Sequence, residues 1–291
     1  MEALRRRIEV RVMSLSGLAL GQIDYEHPEG DPGLFGPESM PWEVHSDFTS
    51  MLVGGIASLL LQMLHPLALA GVWDHSNFRQ DMLGRLRRTG QFVAGTSFAP
   101  TASADWLIGK VRSIHLKVTG TAADGRRYAA SDPALLTWVH VAEVSCFLAG
   151  YLRYLNPQLS GAEQDRYYAE IALVAERLGA SDVPKSRQAV ADYLDAMRPQ
   201  LVCDERTREI CRILLNAPAP SRSAVPISRL FMQAGIDLLP AWTQQQLGLH
   251  QAAWQRPLIR AGVHSLAPIL RWAVRNGASH RSRKRMGLPP R

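Results

Sequence analysis

Apolar residues recur three and four positions apart along most of the chain. This pattern predicts helices at 48–64, 78–93, 102–118, 133–155, 160–178, 184–197, 204–215, 227–239 and 258–275. Local punctuation supports several boundaries. Asp132-Pro133 joins a capping acceptor to a proline at the first helical position, and Ser160 with Glu163 reads as a capping box closed by Gly179. Alternation of the strand type is nearly absent. It shows weakly around Tyr128, just after the Asp124-Gly125 turn. The segment 51–72 is apolar all round and long enough to cross a bilayer, yet Gln62, His65 and Pro66 occupy its second half. It reads as a helix buried in the centre of a large helical protein, and no stable membrane span is expected. Residues 21–41 read as a loop draped over the surface and 277–291 as a flexible basic tail. With no fixed-period repeat and no Pro/Gly/Ser-rich linker, residues 1–291 are predicted to form a single all-α domain.

Composition narrows the function classes. With 46% hydrophobic and 20% charged residues, 291 residues can bury a sizeable core. The net charge of +7 gathers at the ends, in Arg5, Arg6, Arg7 and Arg11 and again in Arg281, Arg283, Lys284, Arg285 and Arg291. These read as solvated termini, since no basic, aromatic-rich surface strand or zinc-finger spacing accompanies them; nucleic acid is not an expected partner. Cys146, Cys203 and Cys211 form neither CxxC nor CxxCH, which fits a reducing compartment and argues against covalently attached haem. The N-terminal apolar piece leads to no A-x-A cleavage site, so the expected location is cytoplasmic.

Familiar catalytic motifs fail: there is no GxGxxG after a strand, no P-loop, no HExxH and no GxSxG. His140 and Glu143 form only the reverse of the Glu-x-x-His pair that a di-iron bundle uses twice. Three clusters remain. Gln62, His65 and Pro66 precede Asp74, His75 and Ser76; RLRRT sets Arg85, Arg88 and Thr89 on one helical face; VRSIH sets Arg112 one turn before His115. His115 continues the stripe Leu107, Ile108, Val111, as a core residue would, and His140 does the same with Leu136, Val144 and Phe147. A haem pocket needs one imidazole for iron, cations for two propionates and a polar group over the oxygen site, all of which these clusters contain.

The run QMLHP…GVWDHSNF…RLRRT…VRSIH…DG..Y.A.DP.LL.WVH, spanning about 42–247, resembles the family of latex clearing protein and the oxygenase MpaB. The resemblance implies an all-α fold with a globin-like core around haem b. It makes Arg85, Arg88 and Thr89 distal residues, sets Arg112 beside the haem and makes His115 the axial iron ligand. His140 stands as the rival ligand or a packed neighbour, and His65 and Asp74–His75 as pocket candidates. The implied activity is a mono- or dioxygenase reaction on a small apolar or prenyl-like molecule, with O2 and a separate electron donor. The alternatives are a non-catalytic haem sensor or carrier, and a haem-free protein anchored by 51–72. The chain departs from the rubber-cleaving members where they place a catalytic carboxylate upstream of the distal arginine. The ungapped equivalent here is the apolar stretch 67–70, with Asp74 the nearest acid. That departure argues against polyisoprene as substrate.

Overall fold

The computed structural model describes residues 1–15, 17–219 and 221–289. Its helices are α1 (Glu2–Leu15), α2 (Met40–Val44), α3 (Phe48–Gln62), α4 (Pro66–His75), α5 (Met82–Phe98), α6 (Thr101–His115), α7 (Pro133–Tyr154), α8 (Gly161–Leu178), α9 (Arg187–Met197), α10 (Glu205–Leu215), α11 (Val225–Leu238), α12 (Ala241–Leu247), α13 (Gln255–Ala273) and α14 (Ala278–Arg285). Among the described residues the only sheet is a hairpin of β1 (Thr119–Thr121) and β2 (Arg127–Ala129), with Gly120 opposite Tyr128. The all-α expectation is met, and the weak strand signal at Tyr128 is real.

Crossing helices α3 and α7 form the centre. They approach backbone to backbone because glycines face each other. A Cβ on Gly54 would lie 2.8 Å from the Cys146 carbonyl, and one on Gly150 would lie 2.6 Å from the Ser50 carbonyl. Trp138, fully buried on α7, donates its indole N–H to the Gln62 carbonyl and so satisfies the end of α3. Local chemistry starts the helices where the sequence placed them: Asp132 caps α7, and the Ser160–Glu163 capping box opens α8, which stops at Gly179 in the left-handed region.

The long apolar segment behaves differently from one continuous helix. α3 ends at Gln62, α4 starts at Pro66, and their axes bend by 103°. Pro66 lacks the N–H that a continuing helix would need, and the His65 ring takes the free amides of Leu67 and Ala68 at 3.3 and 3.4 Å. α3 is largely buried, and α4 buries Ala68, Leu69 and Ala70.

The ends of the chain also depart from expectation. Residues read as a flexible basic tail instead form α14. Its Arg285 is 2% exposed and donates to the Tyr25 and Asp31 carbonyls. The same bonds pin the loop predicted to drape over the surface: Tyr25 is buried with Trp42, Phe98 and Ala99. Arg5 is likewise buried, between Glu2, Glu9 and the Ala273 carbonyl.

α13 belongs to the core, beyond the 42–247 reach of the sequence resemblance. Val263 and Ala267 are fully buried, and Arg271 clamps the α3 cap Asp47 at 2.7 and 3.2 Å. Nearby, the buried Asp237 carboxylate joins α11 to α7 and α13 through Arg153 at 3.0 Å and Arg260 at 2.7 and 3.0 Å. Asp237→Ala is expected to cost roughly 2–3 kcal/mol in urea unfolding, less than a fully enclosed ion pair because the arginines can rehydrate.

Candidate active site

α5 and α6 form a hairpin closed at Ala99-Pro100. At the helical rise of about 1.5 Å per residue, Arg85 and His115 both lie about 20 Å along their helices from that bend, so RLRRT and VRSIH occupy the far, open ends of the two arms. Gly95 lets the arms touch near the bend, where a Cβ would collide with Leu107. The hairpin is held from its flanks. Ser282 of α14 donates to the Phe98 carbonyl at 2.6 Å, and Asp105 of α6 pairs with Arg177 of α8. Neither arm packs closely along α7, which spends its contacts on α3 and α8.

Helical periodicity then decides which side chains face inward. On α6, Leu107 and Ile108 are buried and Val111 and His115 partly so, while Trp106, Lys110 and Ile114 are exposed on the opposite side. The His115 Nδ1 is buried with no hydrogen-bond partner among the described residues, whereas Nε2 retains accessible surface. Desolvation pushes the imidazole below its usual pKa, keeping it neutral and its lone pair available at neutral pH. On α5, Arg85, Thr89, Phe92 and Thr96 share one face, and Phe92 packs against the core of α7 and α8. Thr89 is partly buried and makes no hydrogen bond among the described residues. An orphaned imidazole nitrogen and an unengaged hydroxyl on adjacent helices are what a bound group would satisfy. The donor set, one neutral imidazole with an arginine one turn before it, fits a haem.

The remaining candidates divide sharply. Arg85 donates to the Ser76 hydroxyl at 3.0 Å and lines a void of about 10 Å³, room for one water, with Leu59, Met63 and Met82. Burial, with a smaller push from Arg88, lowers its guanidinium to about 10, still cationic at neutral pH. Arg88 is exposed and engaged by Asn77 at 3.3 Å and by Asp81, the α5 cap, at 3.6 Å. Arg112 is exposed at the rim, without a partner among the described residues. His65 is the α4 cap; it stacks on Trp138 with centroids 5.8 Å apart, and burial lowers it to about 4. Asp74 accepts from Tyr128 at 2.6 Å and His75 contacts the Thr119 carbonyl at 3.1 Å, so this pair ties the β-hairpin to α4. His65, Asp74 and His75 thus have structural work that accounts for them.

Sequence reasoning missed one polar residue deeper in. His45, following α2, is fully buried between Ser97 Oγ at 2.7 Å and Tyr167 OH at 2.8 Å. Ser97 donates to the Val93 carbonyl, so His45 Nδ1 donates to Ser97 and Nε2 accepts from Tyr167. Beside it on α7 stand His140, lowered to about 4 by burial, and Glu143, raised to about 7 by burial. No motif flags His45, and Glu143 was set aside with the di-iron spacing.

A family model described as "ER-bound oxygenase mpaB/B'/Rubber oxygenase, catalytic domain" matches residues 42–272, from α2 into α13. No curated protein and no solved structure matches the chain.

Proposed function

Because the chain belongs to the mpaB/rubber oxygenase catalytic-domain family, we propose that this oxygenase works with haem b held through His115 and acts on a small apolar molecule. The observation that carries the reading is the His115 ring, turned inward at the end of α6 with no protein group bonded to either nitrogen and with Nε2 left accessible. Haem b, when bound, supplies an iron that binds dioxygen and passes it electrons.

Everything else is the work of this chain. His115 offers a neutral imidazole at the end of α6, on the inward stripe that Leu107, Ile108 and Val111 begin. Thr89 contributes a hydroxyl free to donate toward negative charge developing on oxygen, and Arg85 contributes a fixed cation one turn away; preorganised donors of this kind act without reorganising during the reaction. Arg112, exposed at the rim and without a partner among the described residues, would pair with a propionate. Arg88 is committed to Asp81 and Asn77 and serves as a lesser contributor.

The test is reconstitution. Purified protein titrated with haemin should develop a Soret band at one haem per chain, extractable into acidic organic solvent. With a reductant it should consume O2 in proportion to added alkene. A protein that stays colourless after titration overturns the reading.

A further inference from the structure

His140 and Glu143 sit one helical turn apart on α7, on the face shared with Leu136, Val139 and Phe147. Neither makes a hydrogen bond or an ion pair among the described residues. His140 is 8% exposed, and Glu143 is only partly accessible in the middle of the longest helix of the core. Yet neither contributes an atom to the fully buried, unpartnered set, so their polar atoms keep some accessible surface on this face of α7.

Such groups cost free energy unless something satisfies them. The protein's own candidates are already spent: His45 is saturated by Ser97 and Tyr167, and Gln62 is taken up by Ser58 and the Val139 carbonyl. Elsewhere, buried carboxylates such as Asp47 and Asp237 are met by arginines, but no cation is supplied to Glu143. This pair is therefore built differently from the structural ion pairs.

We propose that His140 and Glu143 are the polar end of the substrate pocket, and that they recognise a hydroxyl group on an otherwise apolar molecule. The inference deepens the oxygenase reading and rests on it for the pocket being a substrate site. A hydroxyl is both donor and acceptor, and the pair offers one of each: the Glu143 carboxyl accepts the O–H, and the neutral His140 ring donates an N–H to the oxygen. Leu136, Val139 and Phe147 around them suit a hydrocarbon body. The charge-sensitive neighbours of Glu143 are the Tyr167 phenol and the Cys146 thiol, both pushed up by burial and hence neutral. The setting holds no fixed charge to pair with a charged head group, and burial keeps Glu143 itself part-protonated near neutral pH.

The experiment is isothermal titration calorimetry of the purified protein with dec-9-en-1-ol, its methyl ether and dec-9-enylamine. The alcohol should bind about 10–100-fold more tightly than the ether, because a site built to bond a hydroxyl is left with unpaired groups by an analogue lacking its proton. Glu143→Leu should compress that ratio to below about threefold, and Glu143→Gln, whose amide oxygen still accepts, should preserve most of it. Circular dichroism of each variant verifies folding, and Glu143→Gln carries the test if the leucine variant does not fold. Equal affinities for alcohol and ether, tighter binding of the amine, or no alcohol binding at solubility would each overturn the proposal. Calorimetry reads binding with or without haem. Protein that prefers the alcohol but never takes up haem would overturn the haem assignment alone; haem-loaded protein blind to the hydroxyl would overturn only this inference.

Discussion

His115→Ala is expected to give protein with native helix content that retains no haem. The side chain makes no hydrogen bond among the described residues, so its removal costs the fold only modest packing at the end of α6. What it removes is the one neutral imidazole at the open end of the hairpin with a nitrogen facing accessible space. His140→Ala supplies the contrast. His140 sits within the face of α7 that packs the interior, and its loss should cost on the order of 1–3 kcal/mol in unfolding free energy while leaving the Soret band in place. Haemin titration followed at the Soret maximum, with far-ultraviolet circular dichroism as the folding control, separates the two. Haem loss in the His140 variant with retention in the His115 variant would exchange their roles.

Replacing Thr89 should be nearly as damaging to turnover as losing the ligand, without disturbing haem. Thr89→Val keeps the shape and the β-branch and deletes only the hydroxyl. Losing one preorganised donor in an enclosed site typically costs about 10²–10³ in rate, or ~3–4 kcal/mol. Arg85→Ala should fall in the same range, with an added stability cost because the Ser76 bond is lost with it. Arg112→Ala should instead weaken haem retention with a smaller effect on rate, and Arg88→Ala should do least, its guanidinium being spent on the surface. Single-turnover oxygen consumption and haem dissociation into apomyoglobin would be measured for the four variants. Unchanged oxygen chemistry in both Thr89→Val and Arg85→Ala would mean that this face of α5 is structural.

The sequence alone determined what depends on near neighbours. Caps such as Asp132 and Ser160 start their helices because the bonds they make reach two or three residues ahead. The inward turn of His115 follows from the i, i+3, i+4 geometry of one helix, and so was legible from Leu107, Ile108 and Val111. That RLRRT and VRSIH lie at the far ends of two successive helices was likewise legible, since it needs only two helices and the bend between them. Other features were decided by tertiary structure. His65 looked like a pocket residue, but the 103° bend made it a cap stacked on Trp138, a partner far along the chain. Arg88 looked equivalent to Arg85 until packing left one on the surface and the other facing α3. Arg285 reads as a tail residue in any local window, and only the carbonyls of Tyr25 and Asp31 make its burial favourable. The solitary state of Glu143 is the clearest case. A carboxylate's ionisation and its need for a partner depend on what the rest of the chain brings within a few ångströms, and no spacing along α7 encodes that.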